Sequence, residues 1–162
     1  MSNAETVLIR AAEERDLPRV GELLLQVNEV HHVIRPDLFK TNARKYNDAE
    51  LRAIFGNPET PVFVCEAEGK VCGYAFCVLV NPKTDCNLVP VKTLYLDDLC
   101  VDEAARGRGI GTALYRFVID YAKRIGCHNV TLNVWEGNDA ALAFYRKCGM
   151  TVQKTCMETV LE

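Results

Sequence analysis

Between Thr93 and Ile125 the chain changes from a strand pattern to a helix pattern across a run of three glycines. Thr93 to Val101 reads as a strand, Arg106-Gly107-Arg108-Gly109-Ile110-Gly111-Thr112 follows, and Ile110, Leu114, Val118 and Ile125 then share one helical stripe. A strand feeding a helix through glycines is the βα half of an α/β unit, so this segment commits the chain to helices layered on a sheet. Free amides at such a helix start, with glycines that admit close approach, make an anion site. Arg106 and Arg108 add cationic donors.

The flanking sequence supplies the other layers. Thr6 to Ala11 reads as a strand, followed by a helix capped by Asp16 with Leu17, Val20, Leu24 and Val27 on one stripe. Glu29 to Tyr46 is polar and has no sustained period, the kind of stretch that often lines a cleft. Asn47-Asp48-Ala49-Glu50 predicts a capping box opening a short helix that Gly56-Asn57-Pro58 ends. Val62 to Glu66 and Val71 to Val80 form a hairpin about Glu68-Gly69-Lys70, and a polar connection from Asn81 to Pro90 leads to the strand at Thr93. Beyond the glycines come a helix to Ile125, a strand Asn129 to Trp135, a helix Asp139 to Cys148, and terminal strand material from Thr151 to Leu161. The expected architecture is an α/β fold of the α+β kind: one mixed, mostly antiparallel sheet with helices on both faces, in a single domain spanning residues 1–162.

Composition narrows the partners. A net charge of −3 offers no global attraction to polyphosphate, so nucleic acid and anionic membrane are not expected and any anion site must be local. The longest purely apolar run, Tyr74 to Val80, is far short of the roughly 20 residues that span a bilayer. The start of the chain lacks the pattern of a secretory signal, which predicts a cytoplasmic protein, and Ser2-Asn3-Ala4 reads as a cloning remnant. Eight cysteines are scattered without a C-x-x-C pair or a histidine partner motif, so reduced, mostly buried thiols and no metal are expected. Cys72 and Cys77, the nearest pair, should point to opposite faces of their strand.

Spacing discriminates among phosphate ligands. A nucleotide-triphosphate loop needs G-x-x-x-x-G-K-[ST], and no lysine follows these glycines; the dinucleotide fingerprint needs glycine or alanine where Thr112 or Leu114 stands. The run does resemble [RQ]-x-x-G-x-[GA], the pyrophosphate loop of the GCN5-related N-acetyltransferase superfamily, with Arg106, Gly109 and Gly111 at the diagnostic places. Downstream, Asn138-Asp139-Ala140-Ala141-Leu142-Ala143-Phe144-Tyr145-Arg146-Lys147-Cys148-Gly149-Met150 is similar to that family's N-x-x-A-x-x-[FL]-Y-x-x-x-G-[FM] segment.

The resemblance implies a sheet whose fourth and fifth strands splay apart and acetyl-CoA as co-substrate. Backbone groups of Leu99, Cys100 and Val101 would then hold the pantetheine arm. Arg106, Gly107, Arg108, Gly109, Ile110, Gly111 and Thr112 would hold the pyrophosphate, and Asn138, Ala141, Phe144 and Tyr145 would line the same cleft. Tyr145 matches the tyrosine that in many relatives lies near the thioester sulfur as general acid or positioning hydroxyl; packing beside Phe144 is its plain structural role.

Deprotonating an amine points to Asp97 and Asp98, adjacent carboxylates in an otherwise apolar strand. Strand neighbours face opposite ways unless a bulge intervenes. Leu96-Asp97-Asp98-Leu99-Cys100-Val101 resembles the L-E-D-x-x-V segment of the diamine and spermidine/spermine acetyltransferases. Asp97 matches their proposed base glutamate, one methylene shorter, and serves as base or amine anchor or else as a structural ion pair, with Asp98 the second candidate. The ribosomal-protein acetyltransferases place a glutamate where this chain has Asn133, so their mechanism does not carry over. Cys100, on a strand, is expected to be buried and inert.

His31, His32 and Arg35 lie where relatives often bind the acceptor, although solvated loop residues are the commoner case for such a stretch. The acidic pair suits a cationic small-molecule amine; a peptide amine and a non-catalytic acyl-CoA-binding module are the alternatives. The resemblance also implies a homodimer through terminal strands or sheet edges.

Overall fold

A computed structural model describes residues 6–162, so Ser2-Asn3-Ala4 lies outside the described residues. Five strands form one sheet in chain order: β1 Val7–Ala11, β2 Val62–Ala67, β3 Lys70–Val80, β4 Thr93–Val101 and β5 Asn129–Thr131. The first four pair antiparallel and β5 pairs parallel to β4. Helix α3, Ile110–Arg124, covers one face; α1, Leu17–Ile34, and α2, Asp48–Phe55, cover the other, with α4, Asp139–Lys147, after β5.

Two apolar clusters sandwich the sheet. Ile110, Leu114 and Val118 of α3 pack on Phe63, Ala75, Leu94 and Leu96, while Leu17, Val20, Leu23 and Leu24 of α1 pack on Val64, Tyr74 and Phe76. The capping box of α2 forms as its residues predict: the Glu50 amide donates to Asn47 Oδ1 at 2.9 Å and the Asn47 amide to Glu50 Oε2 at 2.8 Å.

Several expectations fail for physical reasons. Asp16 does not cap α1 with its side chain; it accepts from Arg10 at 2.7 and 2.9 Å and from the Glu13 amide. Helix α1 continues through His31 and His32, well into the stretch read as irregular from Glu29. Cys72 and Cys77 face the same cluster, not opposite ones, because Cys72 is an extra residue between the pairs Cys65↔Gly73 and Glu66↔Val71 and shifts the alternation. Of the eight cysteines, which are unpaired, Cys65, Cys72, Cys77 and Cys100 are buried, whereas Cys86 and Cys156 are exposed, so the thiols are less uniformly buried than expected. The fifth strand is laddered only over Asn129–Thr131 and not to Trp135, and residues 151–162 form no strand. No helix among the described residues is long and apolar enough to cross a membrane.

Candidate active site

The site lies where β4 and β5 part. Their ladder covers only Thr93↔Asn129 to Tyr95↔Thr131, while on the other side β4 stays paired to β3 through Ala75↔Leu99, Tyr74↔Cys100 and Gly73↔Val101. From Leu96 onward the β5-facing edge of β4 therefore has no strand partner among the described residues, including the backbone of Leu99, Cys100 and Val101. This is the splay that a strand-like ligand would fill.

Helix α3 begins at the end of that opening. Gly109 is its N-cap, left-handed at φ 78° and without a side-chain cap; Gly107 is left-handed at φ 79°. A Cβ at Gly107 or Gly109 would meet nothing within 4 Å, so both face open space. The first helical bond in the ladder is from the Ala113 amide to Gly109 O at 3.0 Å, which leaves the amides of Ile110, Gly111 and Thr112 at the helix mouth. Gly111 serves another purpose: a Cβ there would lie 3.3 Å from Phe144 Cζ and 3.6 Å from Val101 Cγ2, so its lack of a side chain lets Phe144 of α4 close against β4. The exposed Arg106 and Arg108 border this mouth. An open, uncapped 15-residue helix with two left-handed glycines and two arginines fits a pyrophosphate.

Across the opening, α4 starts at Asn138, whose Oδ1 accepts from the Ala141 amide at 3.3 Å. The cap uses the side-chain oxygen of Asn138, while its backbone amide donates to Trp135 O at 3.0 Å. Tyr145 packs edge-on to Phe144 at 5.1 Å and tilted to Tyr115 at 6.4 Å. Burial, then the negative charge of Asp98, push the Tyr145 hydroxyl well above its ordinary pKa, so it stays protonated.

The two aspartates depart from simple alternation because Phe76 pairs with Asp98 while the next β3 residue, Cys77, pairs with Leu96. Asp97 is the extra residue of this bulge. Asp98 turns to the α1 and α2 face, where the Tyr74 hydroxyl donates to its Oδ2 at 2.6 Å. Burial, opposed by that bond and reinforced by Asp97, raises Asp98 to about 6. Asp97 accepts instead from Lys45 Nζ at 2.6 Å and from the Tyr46 hydroxyl at 3.1 Å, Tyr46 being stacked on Phe76. Burial disfavours the Lys45 ammonium, but the bond and charge of Asp97 prevail and hold its pKa above the ordinary value.

Lys45, Tyr46 and Tyr74 carry no sequence signal of their own. The first two end a stretch without period and the third sits in an apolar run, so only the long-range contacts reveal them. Beside them the half-buried His31 lies 5.1 Å from Phe39, and Phe39 meets the Trp135 ring edge-on at 5.5 Å. Burial, then Lys45, lower the His31 pKa. His32 Nδ1 is 2.6 Å from Phe39 O, and Arg35 lies 5.8 Å over Trp135 while pairing with Asp37 and Glu158. These residues belong to a helix end and an aromatic cluster, not to a solvated loop. Cys100 is buried, its thiol pushed up to about 12 by burial and then by Asp98, which leaves it protonated and inert. Among the described residues no group of three or more His, Cys, Asp or Glu is arranged to hold a metal.

An uncapped glycine mouth on α3, an unpaired edge of β4, a protonated tyrosine and a carboxylate of raised pKa could together hold an extended anionic ligand, and comparison with known proteins assigns the family. Residues 27–150 match the model of the acetyltransferase (GNAT) family. The chain belongs to that family.

Relatives agree with the assignment. An uncharacterized N-acetyltransferase of Methanocaldococcus jannaschii is 38% identical over 117 residues, 70% of this chain and 49% of the relative, so the chain spans about half the length of that protein. A glucosamine 6-phosphate N-acetyltransferase of Trypanosoma brucei brucei is 27% identical over 157 residues, 97% of each chain. The crystal structure of a mutant Bacillus halodurans protein superposes with a TM-score of 0.91 at 35% identity, over 96% of this chain and 99% of the other.

Proposed function

We propose that the chain is a single-domain N-acetyltransferase that moves an acetyl group directly from acetyl-CoA to the primary amine of a small cationic molecule, as a cytoplasmic homodimer without a metal. The observation that carries this reading is that β4 loses its partner strand from Leu96 onward and runs to the open mouth of α3, with Tyr145 near enough to Asp98 to feel its charge.

When bound, acetyl-CoA supplies an activated acetyl thioester. The α3 amides with Arg106 and Arg108 hold its pyrophosphate, Leu99 to Val101 and the Asn138 side-chain amide hold its arm, and Ala141 and Phe144 wall the cleft. Asp98, with its pKa raised to about 6, is ionised at neutral pH yet basic enough to take a proton from the acceptor ammonium, directly or through a water. Tyr145, held protonated, supplies the proton for the departing sulfur. Asp97 anchors the incoming cation in place of the Lys45 ammonium that it holds at 2.6 Å. The Phe39–Trp135 contact narrows the acceptor side and supports a small molecule over a peptide amine. The T. brucei relative, named for acetylating the amino sugar glucosamine 6-phosphate, also supports a small acceptor. Unpaired thiols support a reducing compartment.

The test is a thiol-release assay over polyamines, aminoglycosides, amino acids, amino sugars and peptides, with mass spectrometry of the product. A small amine should gain one acetyl group, and turnover should fall about 100-fold in Asp98→Asn and Tyr145→Phe. Unchanged rates in both variants would remove the assigned roles.

A further inference from the structure

The loop between α1 and α2 carries a primary amine of the chain itself into the acceptor side of the site. Residues 35–47 are tied to both helices: Asn28 Nδ2 donates to Lys40 O at 2.7 Å, Thr41 Oγ1 to Glu29 at 3.1 Å, and Arg44 pairs with Asp48 at 2.7 Å. Tyr46 then stacks on Phe76 at 5.7 Å, and Asn47 caps α2. Between these fixed points the Lys45 side chain is half exposed, yet its Nζ reaches inward to Asp97, whose side chain is 15% exposed, and lies 5.2 Å over the Tyr46 ring.

The charge of Lys45 is felt across the site. After burial, it is what lowers the His31 pKa, and it is among the charges that act on Asp98, the next residue of β4, where it favours the ionised form. Asp98 is the base assigned to the acceptor, and its own charge adds to burial in acting on Tyr145. The amine is therefore placed among the groups that acetyl transfer uses. An ion pair this exposed contributes only about 0.2–1 kcal/mol, so it holds Lys45 at the site without locking it there. A tethered amine also meets a bound thioester at an effective concentration far above that of a free acceptor.

We infer that Lys45 is a self-acetylation site: its Nζ is an acceptor supplied by the chain itself, and its acetylation releases Asp97. The inference rests on the proposed acetyl transfer and deepens it as regulation of the same site. The neutral Nζ attacks the thioester carbonyl carbon, so that an N–C bond forms and the C–S bond breaks. The Lys45 nitrogen gives up two protons, one to Asp98 and thence to solvent, the other to replace the proton that Tyr145 gives to sulfur. The products are N-acetyl-lysine and the free thiol of CoA. The acetamide carries no charge, so the ion pair with Asp97 and the cation–π contact with Tyr46 are both lost, and the anchor is left to an incoming ammonium.

The experiment incubates the full chain, without any free amine, with acetyl-CoA carrying ¹³C in its acetyl group, and follows each lysine by peptide mass spectrometry. The exposed Lys70 and Lys83 report uncatalysed acetylation. Label should enter Lys45 at least about tenfold faster than these two, at a rate per chain that does not change on dilution, and about 100-fold more slowly in Asp98→Asn and Tyr145→Phe. The ratio between lysines in the unsubstituted chain carries the test if either variant fails to fold. In the acetylated chain freed of CoA, the His31 imidazole should titrate at higher pH by NMR, because burial persists but the cation that also depresses it is gone. Labelling of Lys45 no faster than Lys70 and Lys83, a rate unaltered in both folded variants, a rate that rises with protein concentration, or an unchanged His31 titration would overturn the inference. Lys45 left unlabelled while free amines are acetylated overturns the inference alone and leaves the proposed function standing. Label at Lys45 with no free amine turned over supports the inference and counts against the small-molecule acceptor.

Discussion

The Tyr74 hydroxyl donates a 2.6 Å hydrogen bond to Asp98, and so places a neutral donor, not a cation, on the carboxylate whose charge acts on Tyr145. A neutral partner moderates the effect of burial without cancelling it, which is why Asp98 is raised to about 6 whereas Asp16, paired with Arg10, is lowered.

The pH dependence of turnover follows. With Asp98 as the proton acceptor, kcat/KM should rise with pH through about 6 and level off above it. Removing the Tyr74 donor favours the neutral acid, so Tyr74→Phe should move this limb to higher pH by roughly one to two units, given about 1.5–3 kcal/mol for a hydrogen bond to a charged group. A pH–rate profile of the two proteins checks both statements, and a limb that stays in place would show that the bond does not tune the base.

Linkage makes the same group visible in stability. The folded-state pKa of Asp98 is raised from 3.8 to about 6, so its contribution is fully present below 3.8 and is lost as pH rises through about 6. Asp98→Asn should therefore gain on the parent by roughly 2–3 kcal/mol between pH 4 and pH 7.5, since a tenfold difference in proton affinity between the folded and unfolded chain is worth about 1.4 kcal/mol. Urea melts at the two pH values measure the difference; a constant gap would contradict the raised pKa.

A second linked carboxylate has the opposite sign. Asp16 is buried at 4% exposure and lowered in pKa: burial opposes ionisation, but the bonds from Arg10 and the Glu13 amide outweigh it. Its contribution is present above 3.8 and lost as pH falls below that. Arg10→Ala leaves this buried charge without its cation and should cost about 3–5 kcal/mol. Thermal denaturation near neutral pH is the measurement, and a loss under about 1 kcal/mol would place Asp16 among surface pairs of little consequence.

The sequence revealed local features far better than distant ones. The Asn47 capping box and the glycine mouth of α3 are written in contiguous residues, and both form. Asp16 has the residue type of a cap, yet its partner Arg10 belongs to β1, and no local pattern announces that ion pair. The bulges at Cys72 and Asp97 add one residue to a strand without changing its composition, so they invert the alternation downstream unseen. The family resemblance pointed to the glycine loop and to Tyr145. It said nothing of Lys45, because the loop that brings Lys45 to Asp97 has no period and matches the family loosely.

That lysine leads to the last prediction. An ammonium already sits on Asp97 at 2.6 Å, where a cationic acceptor would be anchored, and the Tyr46 hydroxyl shares the same carboxylate. The acceptor must displace Lys45 or bind beside it. Displacement breaks a half-exposed ion pair of the kind worth about 0.2–1 kcal/mol, too little to block binding but enough to weaken it. Lys45→Met should then lower the acceptor KM about two- to fivefold while leaving kcat and acetyl-CoA affinity unchanged. Asp97→Asn should raise KM, by removing the anchor itself. Steady-state kinetics with the acceptor varied separates the cases: a fall in kcat without a change in KM for Asp97→Asn would make Asp97 part of the proton path, and the division of labour between the two aspartates would reverse.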